Sequence, residues 1–181
     1  MADWAAVAAQ VLARRPPAGM RTRIAAVDGP GGAGKSTVAA RLAEALGDVQ
    51  IVHTDDFASW DEPTGWWPRL LAEVLEPLAR GVPARFRPTA WDGEAREDVE
   101  VRPADAVVLE GVTASRQAFR PYLTFCVWVE TPPELRLRRG LERDGEDARE
   151  LWERWMAAED EYVARERPAA RADVVVRGDL A

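Results

Sequence analysis

Gly29-Pro30-Gly31-Gly32-Ala33-Gly34-Lys35-Ser36 decides how this chain of 181 residues folds. It fits the phosphate-binding pattern G-x-x-x-x-G-K-[ST] at every fixed position. Lys35 is the only lysine in the sequence, every other basic side chain of that length being arginine, and asparagine is absent. A composition that uses arginine almost everywhere keeps lysine where a slim ammonium must reach β- and γ-phosphates through a tight backbone loop. The retained lysine marks a nucleoside triphosphate site.

The flanks agree. Arg23-Ile24-Ala25-Ala26-Val27-Asp28 is an apolar run suited to a buried parallel strand. Lys35 to Leu46 then reads as a helix, with Val38, Leu42, Ala45 and Leu46 on one face and Gly47 ending it. Strand, glycine loop and helix in that order aim backbone N–H groups and a helix N-terminus at a phosphate.

Further out, residues 3–14 predict a short amphipathic helix, broken by Arg15-Pro16-Pro17-Ala18-Gly19. Residues 49–54 predict a second strand leading into Asp55-Asp56-Phe57, and residues 66–80 a helix with Leu70, Leu71, Val74, Leu75 and Leu78 inward. Residues 81–104, with prolines and mixed charge, predict a connection or short hairpin. Residues 106–110 and 122–129 are strands three and four. Thr131-Pro132-Pro133 opens a helix with a capping hydroxyl and proline in the first turn. Residues 148–167 form another helix, whose apolar stripe assigns Trp152 and Trp155 to the core, and residues 172–176 supply a last strand. Strands alternating with helices imply a parallel sheet covered on both faces, as one domain over residues 1–181. Residues 1–20 serve as an N-terminal helix and linker, and residues 136–147 as a lid.

Ligands of such sheets bind beyond the carboxyl ends of the strands, where Asp28, Asp55 and Glu110 stand. Phosphoryl transfer needs cradled phosphates, a divalent cation, a positioned nucleophile and positive charge. Gly29, Gly31, Gly32, Ala33, Gly34 and Lys35 are expected to hold the phosphates of ATP. Ser36 with Glu110 and Asp55 would hold Mg²⁺, and Thr37 would reach the α-phosphate or serve only the helix. Asp55 is expected to orient and deprotonate an attacking hydroxyl, with Asp56 as its rival. Arg136, Arg139 and Arg143 recur on one helical face and can close over a triphosphate, an exposed basic face being the alternative. Trp60 and Trp91 offer rings for a flat substrate such as a nucleobase, or pack a lid. His53, inside a strand, reads as structural.

The bulk numbers bound the partners. A net charge of −7 argues against a general nucleic-acid binder. Cys126, the only cysteine, excludes an internal disulfide and reads as a buried strand residue. One histidine and one cysteine leave no zinc set. No apolar stretch approaches the roughly 18 residues of a membrane span, and the start lacks the basic region of a signal peptide, so a cytoplasmic protein is expected. A homo-oligomer is left open.

At this point the chain resembles the uridine kinase branch of the P-loop kinases, over about residues 22–178. Besides the loop, Thr54-Asp55-Asp56-Phe57 is similar to the branch's Q-D-S-F-Y or T-D-G-F segment, whose aspartate is the catalytic base. Val108-Leu109-Glu110-Gly111-Val112 is similar to its V-x-x-E-G-I strand end. Residues 136–144 match its lid sequence R-L-x-R-R-x-x-R-D at Arg136, Leu137, Arg139, Arg143 and Asp144. The resemblance implies a three-layer α/β/α P-loop NTPase fold, with a mainly parallel five-stranded sheet and a helical lid. It implies transfer of the γ-phosphate of ATP to a hydroxyl acceptor, with Asp56, Phe57, Trp60, Trp91 and Arg96 near that acceptor. The branch's base-reading segment Y-D-[FY]-x-x-H-x-R has no counterpart histidine in Arg85-Phe86-Arg87-Pro88-Thr89-Ala90-Trp91-Asp92. Residues 24–30 also resemble cytidylate kinases, whose D-T-G-A-M-Y-R segment is missing. A guanine-specific switch would need N-K-x-D, which a chain without asparagine does not contain. An ATPase module of a larger assembly is the remaining class.

Overall fold

The strand ahead of the glycine loop divides the interior in two. Ile24 and Ala26 join one hydrophobic core and Ala25 and Val27 the other, as the two-residue period of a strand requires. This computed structural model describes residues 2–62, 64–91, 94 and 96–179. Its strands are β1 (Arg23–Asp28), β2 (Ile51–His53), β3 (Ala84–Phe86), β4 (Val99–Val101), β5 (Ala106–Gly111), β6 (Phe125–Glu130) and β7 (Val174–Arg177). Five of them form one sheet in the order β2-β5-β1-β6-β7, with every neighbouring pair parallel. β3 and β4 pair antiparallel as a separate ribbon, the short hairpin anticipated for residues 81–104.

Helices cover both faces. α1 (Trp4–Ala13) and α2 (Lys35–Ala45) bury Val7, Val11, Val38 and Leu42 against Val27, Val108 and Val127. Full burial of one such side chain contributes about 1.5–3 kcal/mol. On the opposite face α3 (Trp67–Leu70) passes through a π-helical turn at Leu71–Leu75 into α4 (Glu76–Ala79), placing Leu70, Val74 and Leu78 beside Val107 and Leu109. α5 (Pro133–Asp144) and α6 (Arg149–Glu166) follow β6, and Trp155 of α6 enters the same core. The result is the three-layer α/β/α arrangement, P-loop kinase-like in its topology. β1 and β5 are neighbours whose onward connections run in opposite directions, β1 toward β2 and β5 toward β6, which opens a crevice at their carboxyl ends.

Two local expectations need correcting. The helix over residues 66–80 is interrupted because Pro77 has no N–H for the Glu73 carbonyl; the amide of Glu76 reaches back to Leu71, widening one turn. Thr131 does not cap α5: Pro132 takes that place, and the Thr131 hydroxyl donates to the carbonyls of Ala33 and Glu130 instead. Cys126 is part-buried in β6, and burial pushes its thiol up to about 12.

Candidate functional site

The glycine loop bends tightly between β1 and α2. Gly32 has φ +71°, and a Cβ there would stand 2.6 Å from the Arg136 carbonyl, so only glycine fits. Gly34, with φ +92°, occupies the N-cap of α2 and turns the loop's amides and the positive end of the helix dipole toward one point. Lys35 is buried, and its ammonium donates to the Pro30 carbonyl at 2.9 Å and so lies folded along its own loop.

Beside it opens a cavity of about 980 Å³, lined by Gly31, Gly32, Gly34, Lys35, Ser36 and Thr37 of the loop and first helical turn and by Asp55, Asp56, Trp60, Trp91 and Arg96. That size is at the upper end of small-ligand sites and has room for a nucleotide and a second molecule. Gly29 and Ala33 do not line the cavity; Gly29 gives its amide to Asp28 at 2.7 Å, and the Ala33 carbonyl is taken by Thr131.

The carboxylates separate into two groups. Glu110 ends β5 opposite His53 of β2, accepting from the Ser36 hydroxyl at 3.4 Å and bonding His53 Nδ1 at 2.6 Å. That hydrogen bond, opposed by burial, raises the His53 pKa above its ordinary value. Asp55 and Asp56 form a 3₁₀ turn after β2, and burial raises the Asp56 pKa, with the charges of Asp55 and Glu110 adding to it. Asp28 is different from expectation. It is 1% exposed and accepts from Gly29 N–H, Ser115 N–H, the Ser115 hydroxyl at 2.6 Å and the Tyr162 hydroxyl at 2.6 Å. It braces the loop from behind and does not face the cavity.

The arginine face also divides. Arg139 and Arg143 line the cavity. Arg139 donates to the Gly32 carbonyl and, through both terminal nitrogens, to the Gly178 carbonyl, each at 3.2 Å. Arg143 grips both oxygens of Asp144 at 2.8 and 2.9 Å, which holds Asp144 below the usual carboxylate range. Arg136, read from the sequence as a triphosphate ligand, points elsewhere: it is 4% exposed and bonds Glu159 of α6 at 3.2 Å. An unpaired guanidinium at that depth is too costly, and the buried carboxylate claims it.

Four tryptophans build one wall. Trp60 meets Trp91, Trp152 and Trp155 edge-on, with ring centroids 5.7, 6.4 and 5.4 Å apart. Trp152 and Trp155 are buried, as their stripe implied, yet also line the cavity. Gly140 makes room for this, since any side chain there would overlap the Trp152 ring. The Trp91 indole N–H donates to the Asp55 carbonyl at 2.9 Å, and the Thr89 amide to the Asp56 carbonyl at 2.6 Å, so the loop after β3 clasps the Asp55–Asp56 turn. Phe57 departs from expectation: it packs in the core against Phe86 at 4.7 Å and does not reach the cavity. Asp92 lies outside the described residues.

Several site residues escaped the sequence reading. Glu159 had one signal, an acid within the apolar stripe Trp152, Trp155, Tyr162. Thr131 and Gly178 act through loop carbonyls and a carbonyl of their own, which no side-chain pattern announces.

Loop, parallel sheet and cavity together define a nucleotide-binding P-loop protein of kinase-like topology. The chain belongs to the AAA domain family, whose model matches residues 26–164. The cytidylate kinase of Natronomonas pharaonis is 32% identical over 121 residues, covering 65% of this chain and 57% of that protein. The chain thus spans little more than half of that curated relative. Among solved structures, one described as a possible uridine kinase from Bacillus stearothermophilus superposes with a TM-score of 0.69 at 23% identity, covering 96% of this chain and 97% of that one. Shikimate kinase from Bacteroides thetaiotaomicron superposes with a TM-score of 0.51 at 18% identity, covering 87% and 86%. At such identities the likeness is one of fold. Among the described residues no helix is long and apolar enough to cross a membrane.

Proposed function

We propose that this protein is an ATP-dependent kinase that transfers the γ-phosphate of ATP to a hydroxyl of a small acceptor, with a nucleoside as the acceptor class its resemblances favour. One observation supports this most: Asp55 and Asp56 line the same cavity as Lys35 and Ser36 of the phosphate loop and the helix it opens. A nucleotide switch has no need of a second, aromatic-walled half; a group-transfer enzyme does.

In this reading the loop amides and Lys35 hold the β- and γ-phosphates. Asp55 accepts the proton of the acceptor hydroxyl and aims its oxygen at the γ-phosphorus; that O–P bond forms as the bond to the β-bridging oxygen breaks. Arg139 and Arg143 neutralise charge on the transferring group. Trp60 and Trp91 hold the acceptor's flat part by ring contact. The donors around Ser36 suit Mg²⁺, being hard oxygens, with Glu110 Oε1 only 3.4 Å from the hydroxyl. Among the described residues no cluster of three or more acidic, histidine or cysteine side chains could cage a metal. Magnesium, which takes few protein ligands and completes its shell with phosphates and water, fits that scarcity. Ser36 and Glu110 would hold it, leaving Asp55 the role of base, and it would supply neutralising charge to the phosphates.

The test is incubation with Mg-ATP and a panel of nucleosides, CMP and sugar alcohols, followed by ³¹P NMR. Formation of ADP with a new phosphomonoester supports the reading, and phosphorylation of CMP alone would move it to the nucleotide kinases. ATP hydrolysis indifferent to every acceptor would overturn it in favour of an ATPase module.

A further inference from the structure

Glu159 lies outside the cavity, 1% exposed, and the reaction described above does not use it. Its position is nevertheless unusual for a helix residue so far along the chain. Its Oε1 accepts the amide of Gly31 at 2.7 Å, inside the phosphate loop, and also the indole N–H of Trp155 at 2.6 Å. Its Oε2 accepts from Arg136 at 3.2 Å, while the Arg136 Nε has no partner. A Cβ on Gly31 would come within 3.0 Å of both Glu159 Oε1 and the Trp152 ring, so loop and α6 are in close contact there. One carboxylate therefore joins the phosphate loop, α5 and the tryptophan wall.

We propose that Glu159 is a positioning residue for nucleotide binding: by holding the Gly31 amide from behind it fixes the curvature of the loop, so that the remaining amides converge on phosphate. This rests on the nucleotide reading of the loop. A negative charge beneath an anion site is an unexpected choice. Burial raises the Glu159 pKa, while Lys35, the Gly31 hydrogen bond and Arg136 oppose that rise. Simple electrostatics predicts that removing the carboxylate would tighten ATP binding, because a like charge is gone. Positioning predicts the reverse. Glu159→Leu tests the sign, and the double variant with Arg136→Met, which removes one charge of each sign, tests positioning without a change in net charge.

Three variants make the test. Glu159→Gln keeps an oxygen able to accept from Gly31 and Trp155. Glu159→Leu keeps none at similar volume but strands Arg136. Arg136→Met with Glu159→Leu replaces the buried ion pair by apolar groups, an exchange that is often neutral or stabilising. Calorimetric titration with Mg-ATP is expected to give Glu159→Gln within about threefold of the parent and the double variant at least tenfold weaker, while both melt cooperatively. The Trp155 indole N–H resonance, assigned by its loss in Trp155→Phe, is expected to shift when Mg-ATP is added to the parent. Parent-like or tighter binding by the double variant overturns the proposal and leaves the kinase reading standing. Absence of Mg-ATP binding by the parent overturns both.

Discussion

His53 and Glu110, partners across the parallel β2–β5 pair, share a 2.6 Å hydrogen bond in the lining of the cavity. Glu110 also reaches Ser36, so one carboxylate connects β2, β5 and the first turn of α2. Because the bond raises the His53 pKa, the stabilisation it provides is fully present below the unfolded value, about 6.5, and is lost as pH rises through the higher folded value. His53→Ala is therefore expected to lower the melting temperature at pH 6 and to leave it nearly unchanged at pH 9. A difference that grows with pH would show that the neutral imidazole is the stabilising form.

Asp55→Asn removes a proton acceptor and leaves the phosphate cradle untouched. Phosphate transfer is expected to fall by at least ~10²-fold, with Mg-ATP affinity nearly unchanged in calorimetry. A parallel collapse of ATP affinity would assign Asp55 to the metal or to folding. Asp56→Asn provides the comparison, since its carboxylate stands one residue on in the same cavity.

The two cavity arginines are expected to behave differently. Arg143 is held by Asp144 and makes no hydrogen bond to the loop, so Arg143→Ala should lower kcat by ~10²-fold or more with little change in the KM for ATP. Arg139 ties Gly32 to Gly178, so Arg139→Ala should lower kcat and raise the KM for ATP together. An unchanged kcat in both would make α5 a solvated basic face.

Trp60→Ala should raise the acceptor's KM by about tenfold while Mg-ATP binding stays within twofold, since ring contacts of this kind are worth about 0.5–1.5 kcal/mol. Trp60→Phe should recover most of the loss. Equal weakening of ATP would place the nucleotide, not the acceptor, against the tryptophans.

The strands were legible in the sequence because apolar runs bounded by polar residues have few other uses: β1 begins and ends where the pattern puts it, and β5 extends only one residue further. The loop was legible because its glycines answer to backbone geometry within eight residues. What the sequence hid were pairings between distant elements. Helical spacing places Arg136 with Arg139 and Arg143, but only the folded chain brings Glu159 to it across 23 positions. The resemblance put Phe57 near the acceptor, yet Phe86 and Trp66 pack against it in the core. Trp152 and Trp155 show that a buried side chain and a cavity wall are not exclusive roles.

Gly178, just past the last strand, has a consequence for how the protein comes into being. Its carbonyl receives Arg139, and a Cβ on it would overlap the Ala33 carbonyl, so this residue fits directly against the phosphate loop. The loop itself is translated about a hundred and forty residues earlier. Until β7 has joined the sheet the chain carries the whole motif and lacks one wall of its pocket, so motif and pocket are completed at different stages of folding.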